Sequence, residues 1–120
     1  MTPEGPERPA IHVSLGHGVD ESLYGWISVG AEEEGIPCRL TPAGETDATA
    51  LAYEAAGSSR LGVGVGVASG RVAVHERHMP AAQPVVASPL DDGAGQEACR
   101  TAGSNAARLV IGVPLKLEVS

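Results

Sequence analysis

Residues 61–75 read Leu-Gly-Val-Gly-Val-Gly-Val-Ala-Ser-Gly-Arg-Val-Ala-Val-His. Valine and glycine alternate strictly as far as residue 67, the period-2 pattern of a strand with one valine face and one glycine face. Ser69-Gly70 makes a two-residue turn, and residues 71–75 resume as a strand with Val72 and Val74 on one face. A connection this short joins only antiparallel neighbours. The hairpin therefore puts one antiparallel strand into whatever sheet the rest of the chain builds.

Upstream, the pattern switches between two periods. Residues 10–15 alternate, with Ile11, Val13 and Leu15 on one face, and are broken by Gly16-His17-Gly18. Asp20 is positioned to cap a helix from about residue 21, in which Leu23, Trp26, Ile27 and Gly30 recur at helical spacing. Gly35 and Pro37 stop it, and residues 38–41 form a short strand. After a loop, Thr46 or Asp47 caps a second helix with Ala48, Leu51, Ala52 and Ala55 as its inner stripe, ended by Gly57. Downstream of the hairpin, a loop carries Met79-Pro80-Ala81, and residues 85–87 suit a last short strand. Residues 96–111 form a third helix striped by Cys99, Ala102, Ala106 and Leu109, with Gly112 and Pro114 as its stop. The order β-α-β-α-β-β-β-α predicts an α/β domain: a mixed, mostly parallel sheet of about five strands with one antiparallel strand and helices on both faces. The domain is expected over residues 10–114, between a disordered leader at 1–9 and a tail at 115–120. The leader reads Met-Thr-Pro-Glu-Gly-Pro-Glu-Arg-Pro, too polar and proline-rich to pack.

Composition narrows the function. The 120 residues suit one domain, and the absence of Phe leaves the core to Val, Leu, Ile and Ala. A net charge of −7 with sparse basic residues excludes the counterion-releasing patch that nucleic-acid binding needs. No apolar run approaches a membrane span, and the chain opens on no signal-like segment. Two cysteines, Cys38 and Cys99, form no disulfide framework and read as packed, reduced thiols. A cytoplasmic protein is expected.

No catalytic constellation stands out. Gly62, Gly64, Gly66 and Gly70 alternate inside a strand rather than at a strand-to-helix turn, so they read as a face that a helix or another backbone approaches closely, and secondarily as a place for a partner to dock, and not as a phosphate loop. His75 and His78 with Glu76 lack a third or fourth metal ligand nearby. No serine sits in a nucleophile elbow. The anomaly is Glu32-Glu33-Glu34, three carboxylates in the last turn of the first helix, at the negative pole of its dipole. A divalent cation or a basic partner would relieve that conflict, as would salt acting on a solvated acidic face. Three carboxylates cannot complete a Mg2+ or Ca2+ shell, so a cation here would draw its other ligands from another chain, from water or from a nucleotide.

Three stretches carry a resemblance. Residues 30–37 read Gly-Ala-Glu-Glu-Glu-Gly-Ile-Pro, the hairpin ends at His75 with Met79-Pro80-Ala81 behind it, and residues 101–114 read Thr-Ala-Gly-Ser-Asn-Ala-Ala-Arg-Leu-Val-Ile-Gly-Val-Pro. From about residue 10 to residue 114 the chain resembles the small subunit of diol and glycerol dehydratase reactivating factors. It departs at Ile111, where the family often has a basic residue, and in its leader and tail. The resemblance implies a three-layer α/β/α sandwich like the medium subunit of adenosylcobalamin-dependent dehydratases. It implies a non-catalytic subunit of a chaperone-like complex of two large and two small subunits, with ATP or ADP bound and hydrolysed by the large subunit only. The small subunit is exchanged for the dehydratase's own medium subunit so that damaged cobalamin escapes; it binds no cobalamin directly. The middle glutamate of the acidic motif, here Glu33, is implied as a Mg2+ ligand at the boundary with the large subunit. The implied partners are that subunit and a diol or glycerol dehydratase. A cytoplasmic setting follows, with residence in a bacterial microcompartment left open. The competing readings are a medium subunit of a B12-dependent dehydratase itself, for which the chain is short, and an independent flavodoxin-shaped enzyme whose only candidate phosphate turn is Gly16-His17-Gly18-Val19-Asp20.

Overall fold

The computed structural model describes residues 8–42, 44, 47–90 and 95–117. Most of the expected leader, the end of the tail and Thr46 lie outside that set. The elements run β1 (Ile11–Leu15), α1 (Ser22–Glu33), β2 (Cys38–Thr41), α2 (Ala48–Ser58), β3 (Val63–Ala68), β4 (Arg71–Glu76), β5 (Val86–Pro89) and α3 (Gly95–Ile111). The sheet order is β2-β1-β3-β4-β5. β1 lies parallel to β2 and β3, and β4 antiparallel to both β3 and β5, so β4 alone runs against the other four. The expected mixed sheet is therefore present, closed on both faces by helices. None of the described helices is long and apolar enough to cross a membrane.

The hairpin at the centre forms for the reason its sequence suggests. Ser69 and Gly70 both take positive φ, 54° and 72°, between the paired residues Ala68 and Arg71. That is the twist a two-residue turn needs to match right-handed strands. Every residue of β3 is buried, and its two faces do different things. Val63, Val65 and Val67 join Ile11, Val13, Val72 and Val74 in the larger core, under Ile27 and Ala31 of α1 and Cys99, Ala102 and Ala106 of α3. Burying each such aliphatic side chain contributes about 1.5–3 kcal/mol, which offsets the lack of large rings.

The opposite face carries α2 at close range. A Cβ on Gly64 would stand 2.5 Å from the carbonyl oxygen of Ala52, and one on Gly66 would stand 2.5 Å from the Ala52 nitrogen. The glycine face is thus where the main chain of α2 rests on the sheet, with Ala48, Ala52 and Ala73 as a thin second core. It is covered from within the chain and offers no docking surface.

Some helix ends differ from expectation. Asp20 accepts from the Ser22 amide at 2.9 Å, but the N-cap of α1 is Glu21, whose side chain makes no capping bond. Asp47 caps α2 as expected, accepting from the Ala50 amide at 2.8 Å. Gly57 does not end α2. Ser59 does, because its buried hydroxyl donates to the Ala10 carbonyl at 2.6 Å and accepts from the Leu61 amide at 3.0 Å, turning the chain into β3. After α3, Gly112 takes φ 81° and the chain doubles back. The buried Asn105 then grips the main chain of Lys116 on both sides, accepting from its amide at 2.6 Å and donating to its carbonyl at 2.8 Å. The start of the tail is strapped to α3.

Candidate functional site

The C-terminal end of α1 collects the features singled out in the sequence. The helix stops at Gly35, with φ 89°, where the Ile36 amide bonds the Ala31 carbonyl and the Gly35 amide bonds the Glu32 carbonyl. This Schellman closure satisfies two of the last carbonyls and fixes the direction of the acidic turn. α3 lies against α1 through two glycines. A Cβ on Gly30 would collide with the Arg100 carbonyl, and one on Gly103 with the Ile27 carbonyl. The backbones therefore meet, and Arg100, Ser104 and Arg108, spaced four apart along α3, come within reach of the acidic turn.

Each carboxylate has a different environment. Glu33 forms a two-pronged ion pair with Arg100, whose Nε donates to Oε1 at 3.3 Å while a terminal nitrogen donates to Oε2. Both side chains stay near 40% exposed, at 39% and 43%. Glu34 is more enclosed: its Oε2 accepts from Arg108 Nε at 2.9 Å and from Ser104 Oγ at 2.8 Å. Arg108 also donates to the Pro114 carbonyl at 3.0 Å, tying the end of α3 into the same cluster. Glu32 accepts from Ser28 Oγ at 3.1 Å, on the outer face of α1.

The Arg100 hydrogen bond holds Glu33 below the usual glutamate range, and the bonds from Ser104 and Arg108 do the same for Glu34. The conflict expected at the negative helix pole is thus relieved inside the chain by α3, and not solely by an external cation or partner. Sequence reasoning missed Arg100, Ser104 and Arg108. The available signal was their i, i+4, i+8 spacing, which sets two cations on one face of the last helix.

Glu33 remains suited to a cation in one respect. It is the more exposed of the two carboxylates that α3 pairs, so its oxygens come within reach of a neighbouring molecule once Arg100 releases them. Among the described residues no group of three His, Cys, Asp or Glu side chains is placed to hold a metal by itself. A hard divalent ion needs about six oxygens, so Glu33 fits as one contributor to a shell completed by another molecule.

The other candidates resolve as structural. His75 is fully buried, its ring tilted at 60° to that of Tyr53 with centroids 5.0 Å apart, with Nε2 donating to the Ala81 carbonyl at 3.1 Å and Nδ1 accepting from the Glu76 amide at 3.0 Å. Nε2 thereby ties down the Met79-Pro80-Ala81 loop, while Nδ1 is taken up by the main chain of Glu76 at the end of β4. His78 turns instead to Glu76, at 2.7 Å, so the two histidines do not converge. Burial pushes the Cys38 thiol up to about 12, with Glu32 adding to the shift, and the Cys99 thiol up to about 11; neither is a poised nucleophile. Hollows lie on two sides of the described residues. One of about 390 Å³ lies between β4, β5 and α3, floored by Val72 and Val74 and bordered by Lys116 and Leu117. The other, about 310 Å³, lies beside Gly16, His17 and Gly18, with Glu21 and no Lys or Arg in its lining, which does not suit a phosphate.

Comparison with known proteins converges on one group. A family profile described as dehydratase medium subunit matches residues 8–116. The diol dehydratase-reactivating factor small subunit of Klebsiella michiganensis is 40% identical over 110 residues, covering 90% of this chain and 84% of that one. A solved glycerol dehydratase reactivase superposes with a TM-score of 0.82 at 32% identity, over 92% of this chain and 98% of that one. The structure of a diol dehydratase-reactivating factor complexed with ADP and Mg2+ gives 0.79 at 35% identity, over 92% and 99%.

Proposed function

The chain belongs to the dehydratase medium-subunit family, and from that premise we propose that it is the small subunit of a dehydratase-reactivating factor. The observation that carries this reading is the near end-to-end match, at 84% and 98% of the relatives' lengths, to reactivating-factor small subunits and reactivase chains. A medium subunit of a dehydratase itself is the weaker reading, because the named relatives are reactivating factors. The chain works without an active site of its own. It pairs with a large subunit that binds and hydrolyses ATP, two of each in the assembly, and leaves that partner so that the dehydratase's medium subunit can dock there and damaged cobalamin can escape.

In this role Glu33 is the contact residue. Its exposed carboxylate gives an oxygen to a Mg2+ ion whose remaining ligands lie on the large subunit; the ion supplies charge neutralisation across the boundary. Glu34, enclosed by Ser104 and Arg108, holds the helix end in place. We place the assembly in the cytoplasm; cell fractionation decides whether it enters a microcompartment.

The test is co-expression with a cognate large subunit, followed by size exclusion and reactivation of an inactivated diol or glycerol dehydratase with ATP, Mg2+ and fresh adenosylcobalamin. Co-elution and recovery of activity are expected, with none from the isolated chain. Glu33→Ala is expected to weaken Mg2+-dependent assembly more than Glu32→Ala. ATP turnover by the pure chain, or wild-type behaviour of both variants, overturns the corresponding part of the reading.

A further inference from the structure

We propose that Arg100 is an internal stand-in for the cation, occupying the Glu33 carboxylate while the subunit is free and releasing it on docking, so that Arg100 sets how much Mg2+ assembly requires. The inference rests on the Glu33 reading given above and concerns the regulation of that same contact.

The geometry carries it. Arg100 takes both Glu33 oxygens, one through Nε and one through a terminal nitrogen. A carboxylate engaged on both oxygens by a guanidinium has its best lone pairs committed, and a divalent ion brought to it also meets the fixed positive charge of the arginine. Arg100 therefore competes twice, as a donor and as a charge. The pair is releasable because it sits in solvent, with its side chains 43% and 39% exposed, and exposed pairs hold weakly.

The neighbouring pair shows the contrast. Glu34 and Arg108 are 18% and 28% exposed; Glu34 also accepts from the Ser104 hydroxyl, and Arg108 is anchored at the Pro114 carbonyl. Two glutamates in succession thus meet two arginines on one face of α3, one pair enclosed and braced, the other open. Glu97 lies one turn before Arg100 on α3 and already attracts it, so the guanidinium has an alternative carboxylate when it leaves Glu33. Lys116 also bears on Glu33 from the strapped tail, keeping a positive surround that a docking partner's cation must displace.

The test uses the full chain and its cognate large subunit, with association measured while MgCl2 is titrated. Arg100→Gln is expected to lower the Mg2+ concentration for half-maximal assembly by about two- to five-fold, the range that loss of an exposed pair corresponds to. Arg100→Lys, which keeps the charge but not the fork, is expected to fall between. In a Glu33→Gln background the Arg100→Gln change is expected to do nothing further. An unchanged or raised Mg2+ midpoint for Arg100→Gln, with Glu33→Gln still impaired, overturns the stand-in role alone. A wild-type Mg2+ dependence in Glu33→Gln removes the reading beneath it. Urea midpoints of the same variants identify any folding defect; where Arg100→Gln is misfolded, a Mg2+ midpoint of Arg100→Lys equal to or above wild type overturns the proposal.

Discussion

Replacing Gly103 by alanine is expected to destabilise the protein although alanine is the better helix former. Gly103 lies in the middle of α3, where the exchange by itself favours the helix by about 0.8–1 kcal/mol. The new Cβ, however, would stand 2.7 Å from the carbonyl carbon of Ile27, closer still to its oxygen, and 3.1 Å from the Ala31 nitrogen. Ordinary contact begins at 3.4 Å, and the opposing atoms are backbone, which cannot rotate aside. α1 must retreat by about 1 Å, the kind of overpacking that costs about 1–3 kcal/mol or more. A clash with backbone rather than side chain puts the cost at the upper end of that range, so the helix gain offsets only part of it and leaves a net loss of about 2 kcal/mol. With a urea slope of about 1–3 kcal/mol/M, the unfolding midpoint followed by circular dichroism falls by about 0.7–2 M. The same retreat lengthens the 3.3 Å contact from Arg100 to Glu33, so Mg2+-dependent assembly is expected to change as well. Gly57→Ala is the matched control: Gly57 is exposed within α2 and a Cβ there meets nothing within 4 Å, so it is expected to stabilise by about 0.5–1 kcal/mol. A Gly103→Ala protein that unfolds at or above the wild-type midpoint refutes the close-packing account of the α1–α3 contact.

Other consequences are as direct. Glu33 and Glu34 have folded values below their ordinary 4.5, held down by Arg100 and by Ser104 with Arg108 respectively. Their contribution is therefore complete above about pH 4.5 and is lost as pH falls through the lower folded values; urea midpoints between pH 7 and pH 3 are expected to drop below 4.5, and less steeply in an Arg100→Gln, Arg108→Gln double variant. Asn105→Ala removes both bonds to the Lys116 main chain and is expected to cost about 2 kcal/mol, at about 1 kcal/mol per bond, and to speed carboxypeptidase trimming of the C terminus. Cys38 and Cys99, raised to about 12 and about 11 chiefly by burial, are expected to resist a thiol reagent at pH 8 until urea unfolds the chain; rapid labelling of the native protein contradicts their placement.

Much of the fold was legible because local signals agreed with one another. The Val-Gly alternation and the Ser69-Gly70 turn identify a hairpin without reference to anything distant, since period and turn geometry are properties of the chain itself. The stops at Gly35 and Gly112 are likewise local, and both glycines take the positive φ that ends a helix. Gly57 looked the same but continues its helix, because the end of α2 is set by a buried Ser59 hydroxyl reaching Ala10, a residue 49 positions away.

The turn Glu32-Glu33-Glu34 was singled out by its sequence, as charges at the wrong pole of their helix, and Glu33 within it only by the family resemblance. Only the tertiary structure decided what surrounds it. Gly30 and Gly103 let two helices touch, and that contact delivers Arg100 to Glu33 from 67 positions along the chain and Arg108 to Glu34 from 74. The same holds for the glycine face of β3, whose alternation was plain but whose occupant, the main chain of α2, was not. Periodicity records which face of an element is buried; which element covers it, and which charge arrives with it, depends on packing between residues that the linear order keeps apart.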